Sequence, residues 1–517
     1  MIPPLFALAF WVVVPLILFY MLRPHLAAIL TLLSATLFLP VGAGFNLPVL
    51  PTMGKEEIAS LACMLCAMGF AGDRLVRARP LRGPELLLVL LSLGTILSVL
   101  NNQDRLYYGP VVVPGIEITG FVSDILEDLL RWGFPFFIGR ALFVRSEHLK
   151  DLLAVFIFAG LVYSLLILFE IRMSPQLHRW TYGYHQHGFS QTIRSDGSYR
   201  PMVYMRHGLH VALFIFLCMT AAWTFFRTRY RLPLIPFVPK GLVAGYLSVI
   251  LVMEKSLGAV LYGLVVAPLV IFTSTRIQIL AAVAIAMLCL SYPALRLFRL
   301  IPVESVVEFA ETEFGHDRAH SLAGRLRTED QMMQRIQERP LFGWASSGRP
   351  MVRSEVSGRT KTVYDGVWVI LLVKGGIVRF LCIFGLLLAP VFLAFLRMGM
   401  IRSKQDRIMI AGLSLMVAIN VFDLLPNSTV EGYLTLMSGV LAGVVPGILA
   451  EQQRRRPAGG KSPSGRRGGD VEVDPFPDAA PSAGPGSTMR HDEAGGAGLG
   501  KALLGSPAGR ARRKKDR

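Results

Sequence analysis

Ser321-Leu-Ala-Gly-Arg325-Leu-Arg327, Glu338-Arg339-Pro340-Leu341-Phe342-Gly343-Trp344 and Tyr364-Asp365-Gly366-Val367-Trp368 punctuate one long polar segment, residues 296–368, between two apolar runs. In a chain made mostly of apolar runs, a connection of that length is functional rather than a simple linker. Its flanks set the fold class: an all-α, polytopic transmembrane helical bundle with a large external loop.

Composition supports that class. Of 517 residues, 53% are hydrophobic and only 17% charged, and the mean hydropathy is +0.51. This is too apolar for a string of soluble domains. Spans of about 20 apolar residues, the length needed to cross a bilayer, are expected at 2–22, 25–42, 56–72, 84–101, 119–143, 151–171, 207–226, 239–254, 257–273, 277–295, 371–396, 408–425 and 431–450. The first run lacks a basic start and a small-residue cleavage site, so it reads as a retained helix.

Loop charge orients the bundle. Arg74/Arg77/Arg79/Arg82, Arg145/Lys150, Arg227/Arg229/Arg231/Lys240, Arg276 and Arg397/Arg402/Lys404/Arg407 all follow odd-numbered spans. Basic loops stay cytoplasmic, so the C-terminus is expected inside and loops 172–206 and 296–368 outside.

Those two outer loops are nevertheless rich in arginine. The first carries Arg172, Arg179, Arg194, Arg200 and Arg206 against a single acid, Asp196, and residues 296–364 hold eleven Lys/Arg against nine Asp/Glu. An anionic substrate is the simplest reason to keep arginine there. The first loop also interleaves Trp180, Tyr182, Tyr184, Phe189, Tyr199 and Tyr204, which suit either sugar stacking or an interfacial belt. In the second, Leu322, Leu326, Met333 and Ile336 recur at helical spacing, predicting an amphipathic helix over 321–339 that Pro340 ends and Gly343 turns.

Residues 451–517 differ in kind: Gly, Pro, Ala, Ser and Arg dominate and apolar periodicity is lost. The expected organisation is a membrane domain, 1–450, and a disordered basic cytoplasmic tail. The tail's fourteen Lys/Arg less eight Asp/Glu give +6 of the total +18, so the high basicity does not argue for nucleic acid. Arg454-Arg-Arg456 and Arg510-Ala-Arg-Arg-Lys-Lys515 suit either anionic lipid or plain solvation. All five cysteines fall in apolar runs, and Cys63-Met-Leu-Cys66 reads as two small buried residues rather than a redox pair. There is no Walker A loop, dinucleotide fingerprint or His-Glu-x-x-His zinc site. His185/His187 and His207/His210 lack the Cys or acidic neighbours that metal binding wants, so neither cofactor nor metal is expected.

The order of several short motifs resembles the O-antigen ligase and O-antigen polymerase superfamily. Arg325, Arg339-Pro340-Leu341-Phe342-Gly343-Trp344, Asp365-Gly366-Val367-Trp368 and Gly375-Gly376-Ile377-Val378 resemble its signature region. Arg200-Pro-Met-Val-Tyr-Met-Arg206-His207-Gly208, Glu254-Lys255-Ser256-Leu257-Gly258-Ala259 and Leu130-Arg131-Trp132-Gly133-Phe134-Pro135-Phe136-Phe137-Ile138-Gly139-Arg140 resemble upstream segments. The likeness spans roughly 120–400. Ligases of the family typically place histidine at the re-entry where this chain has Asp365-Gly366, which favours the polymerase branch.

The resemblance implies a metal-independent membrane glycosyltransferase of the GT-C type in a bacterial inner membrane. It would polymerise undecaprenyl-pyrophosphate-linked oligosaccharide repeats on the outer face, with chain-length-regulating and export proteins as partners. Arginines facing the pyrophosphate would stabilise the leaving group, and a carboxylate would take the proton of the attacking hydroxyl. The expected catalytic residues are Arg206, Arg325 and Asp365, with Glu313 as a second carboxylate. Arg194, Arg200, His207, Arg339 and Trp344 are expected to bind substrate. Asp365 reads equally as a helix N-cap. A ligase acting on a lipid acceptor and a transporter of lipid-linked oligosaccharide are the alternatives, although no internal repeat supports transport.

Overall fold

The computed structural model describes residues 1–117, 120–194, 197–346, 348–360 and 366–455. The side chains of Ala310, Phe314, Asp317, Arg318, Ser321 and Leu322 lie outside that description, as does the tail beyond Arg455. Among the described residues the fold is all-α except for one short hairpin. In order, its helices are α1 (Pro4–Trp11), α2 (Val13–Met21), α3 (Pro24–Phe38), α4 (Lys55–Arg77), α5 (Leu86–Leu100), α6 (Gly120–Asp128), α7 (Phe134–Leu142), α8 (Ser146–Met173), α9 (Leu177–Tyr182), α10 (Gly208–Phe226), α11 (Lys240–Met253), α12 (Leu257–Phe272), α13 (Thr275–Leu297), α14 (Val303–Phe314), α15 (His316–Glu338), α16 (Val367–Arg397), α17 (Lys404–Asp423) and α18 (Gly432–Arg454).

Among the described residues, eight helical stretches are long and apolar enough to cross a membrane, and α3, α5, α11 and α12 are shorter apolar helices. By length and composition this is a multi-pass membrane protein. The remaining expected span, 119–143, is divided into α6, a π-helical turn at Leu129–Gly133 and α7. Pro135 has no N–H to donate to the Arg131 carbonyl, so the regular ladder cannot run through it. Several helices also outrun their apolar runs: α4 continues through Asp73, Arg74 and Arg77, α8 starts at Ser146, and α18 reaches Arg454, past the expected boundary at 450. Charged residues of high helix propensity at the rim extend a helix that burial has already nucleated.

The centre of the bundle is α10, α17 and α18, whose apolar windows are about four-fifths buried. α18 lies on α7 through Gly439, Gly443 and Gly447, spaced four apart on one face. A Cβ at these positions would come within 2.0, 2.3 and 2.1 Å of the carbonyl oxygens of Phe136, Arg140 and Val144. Without side chains there, backbone meets backbone, the small-residue packing that substitutes for hydrophobic drive between membrane helices.

At one end of the bundle α3, α8, α11, α13 and α17 finish and α4, α10, α12 and α16 begin. The polar segment folds there as α14 and α15. Leu326, Met333 and Ile336 are buried as the spacing predicts, and Met332 is fully buried beside them. Arg296, at the end of α13, pins this helix by pairing with Glu329 at 3.1 Å and Asp330 at 2.8 Å. The short hairpin, β1 (Leu106–Tyr108) and β2 (Val111–Val113), was not anticipated. Three-residue strands carry too little alternation to stand out.

Beyond α15 the chain turns at residues 340–345 and docks into a break in α16. Gly375 and Gly376 have non-helical dihedrals, and the turn supplies the missing partners: Trp344 N–H donates to the Val373 carbonyl at 2.8 Å, Ala345 N–H to Lys374 at 2.8 Å, and Ile377 N–H to Pro340 at 2.8 Å.

Candidate functional site

Two loops approach the start of α10. Arg200, just before it, is 5% exposed and donates to Ser256 Oγ at 3.0 Å. It lies over Gly208, where a Cβ would come within 2.7 Å of the arginine Nε, so the glycine makes room for the guanidinium. Burial, with Arg194 and Arg325 repelling it and Glu254 opposing them, pushes the Arg200 pKa down to about 10. Both oxygens of the buried Glu254 carboxyl lack hydrogen-bond partners among the described residues, and burial raises its pKa well above the carboxylate range. Arg194 reaches the Lys255 carbonyl at 3.4 Å.

Arg325 comes from α15, far away in sequence, and its guanidinium lies 3.5 Å from Asn427 Oδ1. Asn427 is itself held by Asp423 at 3.0 Å, which also accepts from Thr429 at 2.6 Å and Tyr262 at 3.3 Å. The fold thus brings both Arg194 and Arg325 within electrostatic reach of Arg200.

His207 caps α10, its Nδ1 accepting from Leu209 N–H at 3.1 Å. Burial and the neighbouring Arg200 push its pKa down to about 3, so the ring is neutral in any physiological medium.

Arg206 points elsewhere, into an adjoining cavity of about 340 Å3 that is also lined by His210, Glu431, Glu56, Glu57 and Arg131. Its side chain is exposed. Ser428, Val430, Glu431 and Gly432 of the cavity wall follow Asn427 in sequence, so the residue that Arg325 approaches adjoins the segment lining the space that Arg206 enters. Inside, His210 Nδ1 is hydrogen-bonded to Glu431 Oε1. Glu56 accepts from Gly432 N–H and from Thr36 Oγ1, both at 3.2 Å, and Arg131 bridges Glu57 at 2.9 Å and Glu127 at 3.1 Å.

Arg339 and Trp344 are placed apart from this cluster. The guanidiniums of Arg335 and Arg339 lie 3.2 and 4.2 Å from the Trp344 ring centroid, and Trp344 is 5% exposed, which leaves a sugar ring little to stack on. Arg339 also bonds the Asn101 carbonyl, Asn102 Oδ1 and Asp104. Fully buried Arg349 donates to Asp104 Oδ1 at 2.8 Å and to the Asp104 and Pro114 carbonyls at 2.6 and 3.2 Å. Part of the loop arginine is therefore mortar between α5 and the polar segment. Asp365 lies outside the described residues; the N-cap of α16 is Gly366. Glu313 is exposed on α14.

The aromatics of loop 172–206 are largely structural. Tyr182 and Tyr184 donate to the Phe38 and Val41 carbonyls at 2.7 and 2.5 Å, and with Tyr204 they surround the His178 ring. Glu170 ties the loop's two ends together, accepting from Leu177, Met202 and Val203 N–H groups at 3.1, 2.9 and 2.7 Å.

Sequence reasoning passed over Glu56 and Glu431, and set His210 aside with His207 as a weak metal pair. The one available signal was a histidine one turn into an apolar helix. Its partner stands 221 positions away. No model of a known protein family matches this sequence, and no curated protein is similar to it.

Proposed function

We propose that this chain is a membrane-embedded glycosyltransferase that polymerises undecaprenyl-pyrophosphate-linked oligosaccharide repeats, a reading in which the arginine-bearing end faces away from the cytoplasm. The observation that carries it is that Arg325, brought in by α15, comes within electrostatic reach of Arg200, which shares its loop with Arg194 and with Arg206 at the wall of a polar cavity. Cleavage of an anomeric bond to pyrophosphate places growing negative charge on the leaving oxygens. Guanidinium forks at that point stabilise the transition state. A buried arginine such as Arg200 is already desolvated and loses little on meeting its anion. Proteins that set chain length or export the product are the partners such an enzyme would need.

A cell lacking the protein should accumulate single repeat units on the lipid carrier. Long lipid-linked chains that fail only to reach their acceptor would make it a ligase. A second reading, transport of the lipid-linked glycan, draws on the broken helix α16 and the Arg379–Asp128 pair just past the break, since discontinuous helices with buried charge also occur in transporters. Repeats trapped on the cytoplasmic face would decide for transport.

A further inference from the structure

We infer that the cavity beside Arg206 is the subsite for the acceptor sugar hydroxyl, and that His210, oriented by Glu431, is its proton acceptor. The inference rests on the glycosyl-transfer reading above.

The geometry is that of an oriented base. Nδ1 of His210 is committed to Glu431 Oε1, so the hydrogen bond fixes the ring and the tautomer with its proton on Nδ1. Nε2 makes no hydrogen bond within the described protein, and His210 lines the cavity. A lone pair is therefore presented to whatever enters. Glu431 is in turn held beside Glu56, which is anchored to Gly432 N–H and Thr36. A carboxylate behind an imidazole holds its orientation and stabilises the imidazolium once it forms. A structural role alone explains Nδ1 but leaves no reason for an open Nε2 next to Arg206.

The chemistry balances. The acceptor O–H proton passes to His210 Nε2 as the oxygen attacks the anomeric carbon. The bond from that carbon to the pyrophosphate oxygen breaks, and its electron pair leaves with the lipid pyrophosphate to meet the arginines. The new C–O bond is the glycosidic linkage, and the imidazolium returns its proton to water.

Other groups face His210. From α4 these are Lys55, Glu56 and Glu57, and from the π turn Arg131. Arg206 and His207 come from the loop before α10, Asp423 from α17, and Tyr433 lies beside Glu431 on α18. Only His210 has a ring nitrogen open to the cavity and bonded through its other nitrogen to a carboxylate.

The test uses the full chain in proteoliposomes with single lipid-pyrophosphate repeats purified from a deletion strain, reading both lipid binding and chain growth against pH. His210→Gln should bind the donor like wild type and lose about 10²- to 10⁴-fold in kcat, the range for a general base. In His210→Gly, added imidazole should restore part of the rate, which a packing defect would not allow. Glu431→Gln should move the acidic limb of the pH profile to lower pH, because the imidazolium loses its counter-charge, whereas Glu431→Asp should keep the limb near its wild-type position. An active wild type with His210→Gln within about threefold, or with no imidazole rescue and an unmoved limb, overturns the proton-acceptor role and leaves the enzyme reading standing. A wild type that neither binds nor extends the lipid-linked repeat overturns both. Should His210→Gln fail to insert, the pH limb of Glu431→Gln against Glu431→Asp decides alone.

Discussion

Trp344 N–H donates to the Val373 carbonyl at 2.8 Å, so a turn that closes the polar segment completes the backbone of a membrane helix 29 residues further on. The approach is possible only because glycine lies on both sides. Gly343 and Gly376 both have φ of +65°. A Cβ on Gly343 would come within 2.6 Å of the Lys374 carbonyl, and one on Gly376 within 2.2 Å of the Leu341 carbonyl. Left-handed backbone costs a non-glycine residue about 1–2 kcal/mol and overpacking typically adds about 1–3. Gly343→Ala and Gly376→Ala should therefore each destabilise by at least about 2 kcal/mol. Thermal unfolding in detergent measures this; transition temperatures like wild type for both would mean that the joint is soft.

That joint bears on what could be read in advance. Apolar runs long enough to cross a bilayer announce themselves, and the amphipathic face of α15 did so through Leu326, Met333 and Ile336. Pro340-Leu341-Phe342-Gly343 and Gly375-Gly376 stood out as separate motifs, yet their mutual docking is a tertiary fact. Trp344 and Arg339 look like ligand-binding residue types, and only the stacking beneath Arg335 and the contacts to Asn102 and Asp104 show them filling a seam. The His210–Glu431 pair was illegible for the same reason: neither residue has a local pattern, and the pair exists only because the fold brings the start of α10 to the residue that precedes α18.

Arg379 and Asp128 test whether buried charge is structural here. Arg379, three residues past the break in α16, bonds both oxygens of Asp128, a fork-to-carboxylate match. Removing one partner of a buried pair leaves an uncompensated charge, at about 3–5 kcal/mol, whereas replacing both by apolar groups is often neutral. Arg379→Met alone should unfold readily, and Arg379→Met with Asp128→Leu should recover most of the loss. A double-mutant cycle that gives purely additive losses would show that the two residues act independently.

Orientation is open to a direct experiment. The five native cysteines are buried, while Val356 is 87% exposed and Gln191 is exposed in the first arginine-rich loop. With the outer membrane permeabilised, Val356→Cys and Gln191→Cys should react with a membrane-impermeant thiol reagent in intact cells. Labelling that requires lysis would place the arginine cluster in the cytoplasm and remove the basis for an outward-facing site.

The arginines are expected to act through geometry as well as charge. Arg206 lines the cavity and Arg325 lies 3.5 Å from Asn427 Oδ1, next in sequence to the residues of the cavity wall. Each guanidinium would offer a pyrophosphate oxygen pair a planar fork. Lysine preserves the charge but offers a single ammonium in place of the fork. Losing one such contact to a developing oxyanion costs about 2.7–4 kcal/mol, or roughly a hundred- to a thousand-fold in rate. Arg206→Lys and Arg325→Lys should therefore insert and fold like wild type yet extend glycan chains that much more slowly, while Arg513→Lys in the tail should match wild type. The contrast with Arg349, which is fully buried against Asp104 and the Pro114 carbonyl, makes the measurement diagnostic. Arg349→Lys should lower the unfolding temperature, because the smaller ammonium cannot reach all of those acceptors. Arg206→Lys should lower the rate alone. If both loop variants polymerise normally, their guanidiniums are surface charge and the leaving group is stabilised elsewhere.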